Sequence, residues 1–224
     1  MLWHSPWAQA SAISPDASRA PGWRHFALPG KAPTQFAYTR HDGRDAMAVL
    51  SVASASMVRK DVRVEAAQLG ALRFSWQVPE LIAGADMAVR DTDDSPVRLV
   101  LVFEGDRSKF SARNAMLSEL SRALTGEEMP YATLMYVWAN EGEAGRVIVN
   151  PRTDRIRKLV VEAGAGGLGR WLDYERDVRA DFERAFGEPA GALVGVGLMT
   201  DSDNTRSRAQ AWYGPVRLLT VAQD

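Results

Sequence analysis

Leu72-Arg73-Phe74-Ser75-Trp76-Gln77-Val78 alternates apolar and polar residues without a break. A period of two is that of a β-strand, so Leu72, Phe74, Trp76 and Val78 share one face and Arg73, Ser75 and Gln77 the other. A strand dry on one side and wet on the other belongs to an antiparallel sheet resting on a core. Pro79 ends it, because proline cannot donate to the ladder. Val97 to Phe103 reads differently: nearly every residue is apolar, as in a strand covered on both faces. A chain holding both kinds of strand needs more than one layer.

The remaining segments extend the pattern. Ala46–Val52, Thr133–Trp138, Arg146–Val149, Ile156–Val161, Leu193–Met199 and Trp212–Val221 are short, β-rich runs. Val58, Val62 and Val64 alternate with Arg59, Asp61 and Arg63. Two stretches carry helical spacing instead. Ser111 to Leu124 sets Ala112, Ala115, Met116, Leu120 and Ala123 at roughly that spacing, with Gly126 as C-cap. Arg176 to Phe186 sets Val178, Phe182 and Phe186 on one stripe and ends at Gly187. About nine short strands with two short helical insertions predict a mainly β fold, an antiparallel β-sandwich or jelly roll. Antiparallel pairing of 72–78 with 97–103 would put the loop between them at one end of the sandwich.

At 224 residues the chain suits one such domain, residues 22–224. Residues 1–21 are read as a disordered or signal-peptide-derived tail. Their first ten residues end in Ala8-x-Ala10 with Pro6 upstream, the small-residue pattern of a signal cleavage site. The expectation is a periplasmic or secreted protein; an ordinary Ala/Ser-rich terminus of a cytoplasmic one is the alternative. No run reaches the ~18 apolar residues of a membrane helix.

Several functions fall away on composition and motif. Lys+Arg is 27 against 28 Asp+Glu, so the basic excess of a nucleic-acid binder is missing. With no cysteine there are no disulfides, thiolate metal sites or thiol nucleophiles. The three histidines, His4, His25 and His41, lie near the N-terminus, and neither H-E-x-x-H nor G-x-S-x-G occurs. A zinc hydrolase or histidine triad is poorly supported. Gly164 to Gly169 lacks the lysine of a phosphate loop and reads as a flexible hairpin loop.

Two acidic loops are the candidate site. One runs from Asp86 to Asp94 and includes Asp93; the other is Asp201-Ser202-Asp203-Asn204-Thr205. Hard cations take six to eight oxygen donors, so Asp94, Asp201 and Asp203 are candidate ligands for calcium. The same residues also simply make turns, since Asx side chains bond nearby backbone N–H groups. Aromatic side chains stack on sugar rings while Asp, Asn and Arg bond the hydroxyls. The candidate ligand-binding set is therefore Asp86, Asp93, Asp94, Arg98, Asp201, Asp203, Asn204, Trp212 and Tyr213. Trp212 and Tyr213 are neighbours, so a strand sends them to opposite faces.

The ordered blocks Leu72-Arg-Phe-Ser-Trp76, Ala85-Asp86, Asp93-Asp94-x-x-Val97-Arg98, Tyr136-Val-Trp138, Asp181-Phe182-x-x-x-Phe186-Gly187, Thr200 to Thr205 and Trp212-Tyr213-Gly214 form a recognisable series. In order and spacing they resemble a bacterial family classified as domain of unknown function 3047, over roughly Trp23 to Leu218. The Asp-Ser-Asp-Asn-Thr block before an aromatic-Gly strand is the most specific element. The resemblance implies export in many members and a jelly-roll sandwich like galactose-binding-type modules; it implies no activity. Three functions stay open. The chain is a non-catalytic module binding glycan or cell-envelope material, a carboxylate-dependent polysaccharide hydrolase, or a structural protein whose acidic loops only hold the fold.

Overall fold

The computed structural model describes residues 22–219 and the backbone of residues 2–4. The reading of residues 1–21 as a disordered or signal-derived tail falls on residues outside the described ones, apart from the backbone of residues 2–4, and the side chain of His4 lies outside them too. Two seven-stranded sheets face each other. The first comprises β1 (Leu2–His4), β3 (Gln35–His41), β4 (Arg44–Val52), β6 (Ala71–Gln77), β11 (Leu172–Asp177), β13 (Arg208–Tyr213) and β14 (Arg217–Leu219), in the order β1-β14-β6-β13-β4-β3 with β11 on the other edge of β6. The second comprises β2 (Trp23–Ala27), β5 (Ala55–Val64), β7 (Ser95–Phe103), β8 (Ala132–Ala139), β9 (Val147–Val149), β10 (Ile156–Ala163) and β12 (Leu193–Asp201). Its order is β2-β5-β12-β7-β8-β10-β9. All pairings are antiparallel except β8–β10, which is parallel. The fold is the expected β-sandwich.

The alternation read in residues 72–78 places the core. Leu72, Phe74, Trp76 and Val78 are buried between the sheets with Leu99, Leu101, Phe103, Tyr136 and Trp138. Val100, Met135, Val137 and Val160 point the other way and form a second apolar cluster with Met87 and Met199. That second cluster explains why 97–103 is apolar on both faces.

The structure corrects four expectations. Fourteen strands are present among the described residues rather than about nine. The additional strands include 23–27, 35–41 and 172–177; the last alternates half-buried and exposed residues, Leu172 and Tyr174 against Asp173 and Glu175. Strands β6 and β7 do not pair; they lie in different sheets, because β6 is flanked by β11, β13 and β14, and β7 by β12 and β8. The 79–94 connection therefore crosses from one sheet to the other. Likewise Gly164–Gly169 is no hairpin loop, since β10 and β11 belong to different sheets. Finally, the closing run 212–221 is broken: Gly214–Val216 separates β13 from β14.

Helix α1 (Ala112–Thr125) is capped as expected, by the Ser111 hydroxyl accepting from Asn114 N–H and by Gly126 in the left-handed region. Helix α2 (Val178–Phe186) starts two residues later than its pattern suggests. Asp177 caps it, and the residues before it pair with β6. Val178 and Phe182 bury against the core as expected. Helix α1 does the opposite. It turns Asn114 and Ser118 inward, where Asn114 donates to Asp154 and accepts from Thr153, and leaves Met116, Leu120 and Leu124 in solvent. No helix among the described residues is long and apolar enough to cross a membrane.

Candidate functional site

The acidic loops meet at one end of the second sheet, where β7 begins and β12 ends. Asp94, Asp201 and Asp203 each bring a carboxylate oxygen within 4.8 Å of the others. Their surroundings are already furnished with cations. Arg98, 3% exposed, donates through Nε to Asp201 at 2.8 Å and through Nη2 to Asp93 at 3.0 Å. Lys158, fully buried, donates to Asp93 at 2.5 Å and to the Met87 carbonyl at 2.9 Å. Lys31 pairs with Asp203. Asp94 accepts from the backbone N–H groups of Asn204 and Thr205 and from the Thr205 hydroxyl. Asn204 in turn donates to the Arg90 carbonyl. These bonds lash the 79–94 and 201–207 segments together.

The charges titrate as such a buried network dictates. Burial opposes ionisation of Asp93, but Arg98 and Lys158 outweigh it and hold the carboxyl below its ordinary value. Burial raises Asp201 to about 6, against the pull of Arg98. Burial, then the nearby Arg98 charge, lowers Lys158 to about 8, with Asp93 opposing. Tyr213 belongs to the same structure from the other side. Its hydroxyl donates to the Met199 carbonyl at 2.6 Å and accepts from the Arg98 N–H at 3.2 Å, so a side chain of the first sheet is bolted to the second.

Asp86 stands apart from the ion cluster. It is exposed, closes an Asx turn by accepting from Ala88 N–H at 2.9 Å, and lines a cavity of about 340 Å³ with Asp94, Asn140, Glu141 and Arg146.

The trio Asp94, Asp201 and Asp203 carries three carboxylates, but Arg98 and Lys31 already sit on two of them. A calcium ion would have to displace a tethered ammonium to gain its six or more oxygens. Millimolar calcium is therefore expected to leave the melting temperature where EDTA leaves it. A calcium-dependent rise would show that the ion binds the native state and dislodges Lys31.

Trp212 points elsewhere. Tyr213 faces the core, so its neighbour takes the outward face of the first sheet, between Ala48 and Gln77 of the flanking strands. There the His41 ring stacks on it at 3.8 Å, interplanar angle 1°. Trp171 approaches the same histidine at 6.3 Å, and the Arg44 guanidinium lies 5.1 Å from the Trp171 ring centroid. The β3–β4 hairpin brings His41 and Arg44 here: Asp42 and Gly43 both have positive φ, as a two-residue type I′ turn requires. Beside these rings lies a groove of about 660 Å³ lined by Arg44, Arg73, Ser75, Asp173, Glu175 and Arg217, among others. Arg44 grips Asp173 with two bonds, 2.6 and 3.0 Å, and Arg73 donates to Glu175 at 2.6 Å.

Beneath the rings, polar capacity is left over. Gln77 donates through its amide nitrogen to Asp42 and to the Gly169 carbonyl, which fixes the orientation of the amide. Its Oε1 and the indole N–H of Trp171 are buried with no hydrogen-bond partner among the described residues. Such groups in a native fold call for a water or a ligand hydroxyl.

The residues named from sequence thus separate. Asp93, Asp94, Arg98, Asp201, Asp203 and Asn204 come together in the buried ion cluster, Tyr213 touches it from within, and Trp212 lies on the opposite sheet. His41, Arg44, Gln77 and Asp173 escape sequence reasoning. The Asp42-Gly43 turn signal was the clue, because it predicts a hairpin that sets His41 opposite Arg44.

A family model described as "Protein of unknown function (DUF3047)" matches residues 21–217. No curated protein matches the chain. Among solved structures the chain is similar to an arabinose-bound α-L-arabinofuranosidase, with 8% identity, 96% of this chain covered and a TM-score of 0.46; it spans 25% of that protein's length. It is also similar to the family 11 carbohydrate-binding module from Clostridium thermocellum in complex with a β-1,3-1,4-mixed-linked tetrasaccharide, with 7% identity, 93% and 95% of the two chains covered and a TM-score of 0.40. A third similarity is to the xyloglucanase domain of NopAA, a type three effector from Sinorhizobium fredii, with 9% identity, 90% and 92% covered and a TM-score of 0.41.

Proposed function

The chain belongs to the DUF3047 family, described only as of unknown function, and on the geometry of its own outward face we propose that it is a non-catalytic module that binds glycan. The observation that carries this reading is the juxtaposition on the first sheet of Trp212, His41 and Trp171 with a groove of arginine–carboxylate pairs. A sugar presents an apolar C–H face and a rim of hydroxyls. Aromatic rings suit the face, and guanidinium and carboxylate groups suit the rim. The bidentate Arg44–Asp173 pair holds its donors and acceptors in place before the ligand arrives, which lowers the entropy lost on binding. Asp173 and Glu175 are each tied to an arginine, an arrangement that supports binding rather than hydrolysis.

We place this activity outside the cytoplasm, on cell-envelope or extracellular polysaccharide, on the strength of Ala8-x-Ala10. Fractionation of cells expressing the full-length protein tests that part separately.

Affinity electrophoresis through gels containing mixed-linkage β-glucan, xyloglucan, mannan or pectin tests the binding itself. At least one polysaccharide is expected to retard the protein. Trp212→Ala is expected to weaken that retardation by about tenfold or more, equivalent to ~1.4 kcal/mol, while Asp203→Ala at the other site leaves it unchanged. Failure of every polysaccharide, or undiminished binding by Trp212→Ala, sinks the proposal.

A further inference from the structure

The groove beside the ring stack carries one positive charge more than its own carboxylates answer. Four arginines and three carboxylates line it. Arg44 is held by Asp173, and Arg73 by Glu175. Arg40 stands directly opposite Asp45 in the β3–β4 ladder. Arg217 is left over. It is exposed, lines the same groove and has no ion pair among the described residues.

The register of the sheet puts it there. Arg217 on β14 is the partner of Arg73 on β6, and Arg73 is the partner of Glu175 on β11. One row across three strands therefore reads Glu175, Arg73, Arg217. Directly opposed side chains in such a row stand about 5 Å apart at Cβ. Glu175 answers Arg73 from the far side and leaves Arg217 facing another guanidinium. Like charges directly opposite each other destabilise a sheet. An anion lodged against both guanidiniums turns that repulsion into attraction.

The rest of the groove narrows the choice of anion. A guanidinium presents a planar fork of donors that matches a carboxylate. Asp45, Asp173 and Glu175 line the same space, so a densely charged polyanion is repelled while a single carboxylate is admitted. The rings of Trp212 and Trp171 beside it suit the apolar face of a sugar. We propose that this groove takes an acidic glycan, with Arg217 and Arg73 receiving the carboxylate of a hexuronic acid residue. The inference rests on the glycan-binding reading above and names the class of sugar.

Isothermal titration calorimetry with polygalacturonate and with highly methyl-esterified pectin tests it, because esterification removes the charge and keeps the sugar ring. The chain as a whole carries a net charge of -1, so attraction to an anionic polymer must come from a local site. The free acid is expected to bind about tenfold more tightly than the ester, as charge-assisted hydrogen bonds warrant. Arg217→Gln is expected to abolish that preference with an unchanged melting temperature, since the residue is exposed. Arg217→Lys keeps the charge but not the fork and is expected to restore only part of it. Trp212→Ala is expected to weaken acid and ester alike. Equal binding of acid and ester by the wild type, or a preference that survives in Arg217→Gln, overturns the uronate assignment and leaves the glycan reading standing. Dextran sulfate bound as tightly as polygalacturonate overturns it too, as the mark of a general anion patch. Failure of acidic and neutral polysaccharides together removes the glycan reading, and this inference with it.

Discussion

Replacing Arg98 by methionine is expected to remove about 3–5 kcal/mol of stability near neutral pH, the range for breaking a buried ion pair from one side. The reason is what the change leaves behind. Asp93 keeps Lys158, but among the described residues buried Asp201 keeps only the Ser95 N–H, at 3.1 Å. The loss should depend on pH in a definite direction. Asp201 titrates near 6 even with Arg98 beside it, because burial outweighs the pairing. A carboxyl whose native pKa is raised favours the fold when protonated, and that contribution disappears as pH rises through the native value. Without Arg98 the pKa moves further up. The penalty of Arg98→Met is therefore largest above about pH 6 and shrinks toward pH 5. Urea unfolding of wild type and variant at the two pH values measures it. Adding Asp201→Asn to Arg98→Met should recover part of the loss at neutral pH and little at pH 5. An equal penalty at both pH values would show that packing, not an orphaned carboxylate, sets the cost.

The second large effect is expected at Gly191. A Cβ there would overlap the carbonyl oxygen of Glu104, a backbone atom rather than a yielding side chain. Glu104 cannot step aside, since its own N–H donates to the Ala192 carbonyl at 2.9 Å. Gly191→Ala is expected to cost about 3 kcal/mol, the upper part of the overpacking range. Gly166→Ala is the control: its Cβ would enter open space, and neutral or slightly higher stability is expected there. Thermal or urea unfolding of the two variants side by side decides the matter; a Gly191→Ala protein as stable as wild type refutes the clash.

Residue patterns carried the architecture further than the site. Alternation in 72–78 located the face of β6 that packs on the core, and the apolar run 97–103 announced a strand covered twice. The Ser111 and Gly126 caps bounded α1 because capping is local chemistry. What stayed hidden is non-local. Which sheet receives β7 depends on partners about thirty to more than ninety residues away, so the 79–94 crossing left no trace in either strand. The polarity of α1 was equally unreadable: its apolar residues repeat at helical spacing whether they meet a core or water. In the candidate site, Asp94, Asp201 and Asp203 do converge. Their cationic partners Lys31 and Lys158 come from distant segments and carry no local signature. Trp212 and Tyr213 diverge because a strand alternates, but the ring stacked on Trp212 comes from residue 41.

The strand order also governs how this chain can come to be folded. Both sheets take an interior strand from near the C-terminus: β12 separates β5 from β7, and β13 separates β4 from β6. The chain up to residue 190 holds β3–β4 and β6–β11 on either side of a gap in one layer, and β2–β5 and the four strands β7-β8-β10-β9 on either side of a gap in the other. Vectorial folding, in which an N-terminal unit settles while the rest is still being made, has no closed sandwich to settle here. Closure of the sandwich waits for residues 193–213 to enter between partners that precede them by ninety residues or more, a slow, high-contact-order step. The molecule thus spends its synthesis without a finished sheet, and a chain truncated before Tyr213 contains no smaller version of the fold.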